Sequence, residues 1–151
     1  MASNASCIFC KIIKGEIPSL KLIESKYCYS FLDIQPTADY HCLVIPKHHG
    51  AKLHNIPDEY LADILPMVKK LTHVFKLDEN NTPEGDGYNV LQNNGRIAHQ
   101  EVDHVHFHLI PKKDSESGLG VGWPAQPTDF PKLKQLHEEI LDELKQYEEK
   151  L

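Results

Sequence analysis

The chain has 151 residues, 25% of them charged and 40% hydrophobic, the make-up of one globular domain with a real core rather than of a disordered or fibrous chain. A formal net charge of −6 argues against a nucleic-acid binder that works by counterion release, and the apolar runs are too short to cross a bilayer. The start, MASNASCIFCK, lacks a basic segment followed by an apolar run; with four cysteines (Cys7, Cys10, Cys28, Cys42), the expectation is reduced thiols in the cytoplasm, extending to the nucleus.

CIFCKIIKGEIP reads as a short helical turn stopped at Gly15, with Pro18 just beyond. LKLIES and YCYSFLDI follow as strands rich in aromatic and β-branched residues, and QPTADYH as a turn. HCLVIPKHH is a third strand, largely apolar and central, closed by Pro46. NIPDEYLADILPMVKKLTHVFKL places Leu61, Ile64, Leu65, Val68, Leu71 and Phe75 at helical spacing, with Asn55 as N-cap and a kink at Pro66. DENNTPEGDG, polar and rich in breakers, is a mobile surface loop; YNVLQ is a fourth strand, NNGRIAHQEVD a loop and HVHFHLIPK a fifth strand. After the loop DSESGLGVGWPAQP, Leu133, Leu136, Ile140, Leu141, Leu144 and Tyr147 mark one face of a long amphipathic helix. Strands outnumber helices and mostly follow one another, which predicts an α+β fold with an antiparallel sheet.

Alternation within HVHFHLI puts His104, His106 and His108 on one face, and Val105, Phe107 and Leu109 on the other. Taken alone, this strand reads first as a metal site, since imidazoles on one face can share an ion. Covalent catalysis comes next, and a solvated sheet face last. The preceding QNNGRIAHQEV is a polar, glycine-containing loop able to turn amides and carboxamides toward a phosphate. Asp33 is either a turn cap before Pro36 or an acceptor in a site, and Asn93 either a turn residue near Gly95 or a ligand contact. The Cys7-x-x-Cys10 pair fits a metal site, a redox motif or two packed thiols.

The run from His104 to Ile110, alternate histidines followed by apolar residues, resembles the signature of the histidine triad superfamily. CIFCKIIKGEIP, FLDIQP, LVIPKHH and QNNG…HQEV resemble its branch of adenosine phosphoramidases, the Hint branch, from Cys7 to about Pro124. The last helix is similar to the longer, fungal-type form. The resemblance implies one domain over 1–151, with a core at about 7–124 and a helix at about 129–150. It further implies a five-stranded antiparallel sheet with a central helix, and a homodimer whose two sheets join into ten strands.

The activity implied is hydrolysis of adenosine 5′-phosphoramidates: His106 attacks the α-phosphorus, an AMP–histidine adduct forms, and water releases AMP. By the same resemblance His108 bonds the phosphate, and His41 orients the site or shuttles protons. Asp33 accepts from the ribose hydroxyls, Phe31 and Ile34 wall the base, and Asn93 and Gln100 lie beside the phosphate and ribose. His99 and Glu101 depart from the animal members, which have a small residue before that glutamine and, after it, a serine that helps protonate the leaving amine. Trp123 matches a tryptophan that reaches toward the partner's site. Catalysis is expected to need no cofactor, while zinc-containing members imply a structural zinc on Cys7, Cys10, His49 and His104, with His48 as a substitute for His49. Three alternatives stand beside this: a dinucleoside polyphosphate hydrolase, a zinc-stabilised purine nucleotide-binding scaffold, and a cupin-like metalloenzyme, which would want a ligating carboxylate and more strands.

Overall fold

A computed structural model describes residues 2–80 and 82–151; Met1, part of the N-terminal reading above, and Asn81, part of the loop reading, lie outside the described residues. Helix α1 (Ile8–Ile13) begins at Cys7, whose Sγ accepts from the Cys10 N–H. It ends just before Gly15, whose φ of +78° is a left-handed turn that glycine enters without a Cβ clash. Then come β1 (Lys21–Glu24), β2 (Cys28–Leu32), β3 (Cys42–Pro46), α2 (Asp58–Val74), β4 (Gly87–Gln92), β5 (Phe107–Lys112) and α3 (Phe130–Glu149). The strands form one sheet in the order β1-β2-β3-β5-β4, every neighbouring pair antiparallel, as the predicted α+β class requires.

β3 is the buried centre, with all five residues inaccessible, and its alternation sorts the two sides of the sheet. Cys42 and Val44 pack with Ile64, Met67, Val68 and Leu71 of α2 and with Leu109. Leu43 and Ile45 pack with Phe9 and Ile12 of α1, and with Tyr29 and Phe31. His108 stands opposite Leu43 in the β3–β5 ladder and therefore shares the α1 side. The histidine face is thus not solvated; it looks into a second apolar layer.

The structure departs from the sequence reading at four points. Helix α2 starts at Asp58 after Pro57, because the proline holds Ile56 extended (φ −99°, ψ 129°). Asn55 is consequently not its cap; it closes the short turn Leu53–Asn55, and its Oδ1 accepts from the Lys52 N–H at 3.0 Å. Met67, not the exposed Leu65, belongs to the buried face of α2, whose outward side carries Pro66. Finally, β5 begins only at Phe107. The Val105 N–H donates to the Gly50 carbonyl at 2.9 Å instead of to a strand, which leaves His104 and His106 on a bent lead-in.

The chain divides into a unit ending at Gly120 and a second unit, Val121–Leu151. Within the second, Asp129 caps α3 by accepting from the Lys132 N–H at 3.1 Å, and Leu133, Leu136, Ile140, Leu141, Leu144 and Tyr147 all remain exposed. No helix among the described residues is long and apolar enough to cross a membrane. Ile64, completely buried, supports the α2 side of the sheet. Its replacement by alanine should cost about 2–5 kcal/mol, read as a lower urea midpoint at unchanged slope. A midpoint equal to the parent's would mean that this face of α2 is not core.

Candidate active site

His106 is 6% exposed, and its ring is fixed by one bond: Nδ1 lies 2.8 Å from the backbone carbonyl of His104. A carbonyl can only accept, so Nδ1 carries the hydrogen and Nε2 keeps a free lone pair. Burial among apolar neighbours lowers the pKa of His106, against the bond to the His104 carbonyl and, after it, the charges of Asp33 and Glu101. The ring is therefore neutral and its outer nitrogen nucleophilic at neutral pH.

A second chain of bonds sets His41 and His108. The Thr37 N–H donates to His41 Nδ1 at 3.1 Å, which leaves the His41 hydrogen on Nε2. That nitrogen sits 3.0 Å from His108 Nδ1 and 3.4 Å from Asp33 Oδ2. His41 donates, His108 Nδ1 accepts, and His108 must carry its own hydrogen on Nε2. His106 and His108 thus expose opposite functions, an acceptor nitrogen and a donor nitrogen, with ring centroids 5.0 Å apart.

Beside His106 opens a cleft of about 420 Å³, walled by Phe9, Phe31 and Ile34 with Asp33 and Glu101 at its polar edge. Asp33 fulfils its turn reading, since Oδ1 accepts from the Gln35 N–H at 2.8 Å, and it also lines this cleft. Phe31 is buried, whereas Ile34 is 84% exposed at the mouth. The loop from 93 to 102 closes on its own side chains. Gln100, 2% exposed, donates to the carbonyls of Ala51 (2.6 Å) and Val102 (3.0 Å) and accepts from the Gly95 N–H (2.7 Å). Its carboxamide is fully engaged in holding the loop. Asn93 donates to the His99 carbonyl at 3.2 Å, and Glu101 is exposed. A larger hollow of about 950 Å³ is lined by residues 126–136 of the second unit alone and contains neither histidine nor thiol. The smaller cleft is the one that His106 lines.

Behind His106 lies a four-residue cluster. His104 is completely buried; its Nε2 donates to the Pro46 carbonyl at 2.8 Å, which turns the Nδ1 lone pair toward Cys7, Cys10 and His49. Nδ1 of His104 is 3.5 Å from Cys7 Sγ, 3.6 Å from Cys10 Sγ and 3.3 Å from His49 Nδ1, and Cys10 Sγ is 3.4 Å from His49 Nδ1. Ordinary zinc bond lengths in a tetrahedron predict sulfur–nitrogen edges of about 3.6 Å and nitrogen–nitrogen edges of about 3.3 Å. The donor set and its edges fit zinc. Burial raises the Cys7 thiol above its usual range, so only a cation would hold it ionised here. His48 does not substitute for His49; its ring packs edge-on against Tyr60.

Asp33, His41 and His108 are also close enough together for an ion. The 3.0 Å nitrogen–nitrogen contact there already contains a proton, because both outer positions of His41 are assigned. This trio is a hydrogen-bond relay, not a vacant set of lone pairs. Cys28 and Cys42 are pushed up to about 12 by burial and are inert packed thiols. Trp123 belongs to the second unit, where it is 85% exposed.

Sequence reasoning did not single out Phe9, Thr37 or Pro46. The Phe9 ring stands edge-on to His104 and His106, at centroid distances of 5.8 and 5.3 Å. Its helical spacing from Ile12 could have pointed to it. Thr37 and Pro46 act through main-chain atoms, for which residue type carries no signal.

Three alternate histidines lead into the fifth strand of an antiparallel sheet, two of them buried and the third beside the buried His41, and residues 14–115 match the HIT domain. The chain belongs to the HIT family. It is 79% identical over 144 residues, 95% of each chain, to a Candida albicans protein named adenosine 5′-monophosphoramidase. A Saccharomyces cerevisiae protein of the same name is 67% identical over 141 residues, covering 93% of this chain and 84% of the relative. The crystal structure of a histidine triad nucleotide-binding protein from Candida albicans superposes with a TM-score of 0.92 at 77% identity, covering 94% of this chain and 99% of that one.

Burial pushes His108 down to about 4, helped by His106 and His41 beside it; burial also lowers His41, against the pull of Asp33. Unfolded chains protonate these rings from about pH 6.5 downward while the fold keeps them neutral. Stability is therefore full above pH 6.5 and lost as pH falls toward 4. Urea midpoints should be level from pH 7 to 8 and decline through that window, with His108→Gln flattening the decline; an equally steep fall in the variant would contradict the assignment.

Proposed function

We propose that the protein is an adenosine 5′-phosphoramidase that breaks the P–N bond through an adduct on His106. The observation that carries this reading is the bond from His106 Nδ1–H to the His104 carbonyl, which directs a free Nε2 lone pair outward. Nε2 attacks the α-phosphorus, the P–N bond breaks, and the amine departs with the electron pair and takes up a proton. The adduct ring is then cationic, its charge shared with the His104 carbonyl, and that makes it a good leaving group. Water attacks phosphorus, gives up a proton, and releases AMP and neutral His106. His108 donates from Nε2 to a phosphate oxygen as charge builds there, with His41 holding that tautomer.

The apolar walls at Phe31 and Ile34 suit a purine, and Asp33 suits ribose hydroxyls. In this reading Asn93 lies on the ribose and phosphate side, and Gln100 acts by holding the loop that carries Glu101 to the cleft. The names of the two fungal relatives support the amide over the polyphosphate as substrate. None of these steps needs a cofactor.

Cys7, Cys10, His49 and His104 would hold a structural zinc, which when bound cross-links α1 to the sheet. In this reading the chain works as a homodimer. The edge strand β4 supports it: six residues in regular register, with Tyr88 and Val90 exposed along it. The opposite edge, β1, has an irregular register. Trp123 would then serve the partner's site. Four free thiols accord with a reducing cytoplasmic or nuclear setting.

The test is hydrolysis of an AMP amide beside a diadenosine polyphosphate. The amide should be the better substrate, and His106→Ala should lower its turnover by at least about 1,000-fold with the fold intact. A folded His106→Ala protein that keeps its activity would refute the nucleophile, and preference for the polyphosphate would move the protein to that class. For the metal, about one zinc per chain should co-purify and be lost in Cys10→Ser, with a lower unfolding temperature; an unchanged metal content in the variant would refute the ligand set.

A further inference from the structure

The turn that leads into His41 is gripped from outside at both of its ends. At one end the Thr37 N–H sets the His41 tautomer, and the Thr37 carbonyl accepts from the Gly118 N–H at 2.8 Å. At the other, Tyr40 has a φ of +69°, a left-handed conformation that strains a bulky residue. Its ring stacks on Phe75 at the end of α2, with centroids 5.2 Å apart and planes at 28°, and the Lys113 ammonium lies 5.7 Å from its centre. Lys113 and Gly118 bracket the segment that follows β5, the strand of His108. Turn and segment also share a hollow of about 430 Å³, lined by Pro36, Thr37, Ala38 and Asp39 from one and by Asp114 and Ser117 from the other. They therefore meet at points, not along a packed face.

The segment carries its own lock. Asp114 Oδ1 accepts from the Glu116 N–H at 2.9 Å and from the Ser117 N–H and hydroxyl at 2.7 and 3.0 Å, and Lys112 Nζ donates to the Ser117 carbonyl at 2.7 Å. Gly118 follows at φ +84°, where a Cβ would stand 2.7 Å from the Pro111 carbonyl oxygen. We propose that this segment is a positioning clamp for the reaction: Asp114 and Gly118 hold the Thr37 peptide, and through it the hydrogen of His41 on Nε2. The cost of release follows from the relay. If the Thr37 N–H swings away, His41 can carry its hydrogen on Nδ1, and its Nε2 becomes an acceptor. His108 then donates from Nδ1 and turns a lone pair toward the phosphate in place of an N–H. Charge building there loses its donor. Asp33 Oδ2, 3.4 Å from His41 Nε2, still favours the working form, so release gives a mixture and not a complete reversal. The kinetic consequence rests on the phosphoramidase reading; the tautomers stand without it.

The experiment reads ring tautomers by nitrogen NMR on the full-length protein with isotope-labelled histidines, slightly above neutral pH, together with kcat and KM for an AMP amide of a straight-chain amine. Wild type should show one tautomer for each ring, with the hydrogen on Nε2 in both His41 and His108. Asp114→Ala and Gly118→Ala should each show a mixture containing Nδ1–H forms of both rings. Their kcat should fall about tenfold, with KM within about twofold of the parent's. Asp114→Asn keeps the acceptor oxygen and should restore both readouts. Asp114 is exposed, so its variants leave the core untouched and carry the test even where Gly118→Ala does not fold.

Wild-type tautomers in folded Asp114→Ala would overturn the clamp, whatever happens to kcat, and so would a parent protein with the His41 hydrogen on Nδ1. Mixed tautomers at unchanged kcat would overturn its part in catalysis. No hydrolysis of the amide by folded wild type would instead defeat the phosphoramidase reading, while the spectra still decide whether the segment holds His41.

Discussion

Everything at the site hangs on His104, a residue that touches no substrate in the proposed reaction. Its ring nitrogen Nε2 donates to the Pro46 carbonyl at the end of the central strand, and its other nitrogen faces the thiols that open α1. Its main-chain carbonyl in turn fixes the tautomer of His106. One residue thereby joins the sheet, the first helix and the nucleophile. Because His104 is completely buried, that junction cannot relax by turning to water. The bent lead-in to β5 follows from the same constraint: a regular strand would have used the His104 carbonyl in a ladder.

The two hydrogen-bond chains have opposite polarity, and the backbone decides both. A carbonyl acceptor at His106 and an N–H donor at His41 are fixed by the path of the main chain, not by the pH of the surroundings. The apolar layer of Phe9, Tyr29, Phe31 and Leu43 keeps the imidazoles uncharged. Packing of an ordinary hydrophobic kind thus does electrostatic work, since the same burial that stabilises the sheet holds one ring as an acceptor and the next as a donor.

The sheet and both larger helices were legible in the sequence, because period-two and helical spacing survive in β2, β3, β5 and α2; the cysteine–histidine set came from the family resemblance, since spacing alone left the Cys7–Cys10 pair open. Local overrides were not. Pro57 displaced the start of α2 by holding Ile56 extended, an effect that competes with an asparagine's preference for capping. The strict alternation of HVHFHLI predicted a strand through His104, yet the Gly50 carbonyl captured the Val105 N–H first. Gln100 has a structural task that its residue type does not announce. The resemblance puts it beside the phosphate, and what the structure adds is that its three hydrogen bonds, to Gly95, Ala51 and Val102, hold the loop in place. The apolar stripe of α3 was plain in the spacing, whereas its exposure is a tertiary fact.

The cluster at His104 joins residues 94 to 97 positions apart. During synthesis α1 leaves the ribosome first, but its anchors Cys7 and Cys10 have no partner until almost the whole first unit has followed. A six-residue helix is too short to be stable alone, so it must remain a loose end while β1 to β4 and α2 are laid down. Closing it is a late, long-range event whose entropy cost grows only slowly with the length of the loop. The last contacts to form on this side of the sheet are therefore the ones that shape the nucleophile, and a chain stalled just short of β5 carries an assembled α2 layer with an open face where the active site will be.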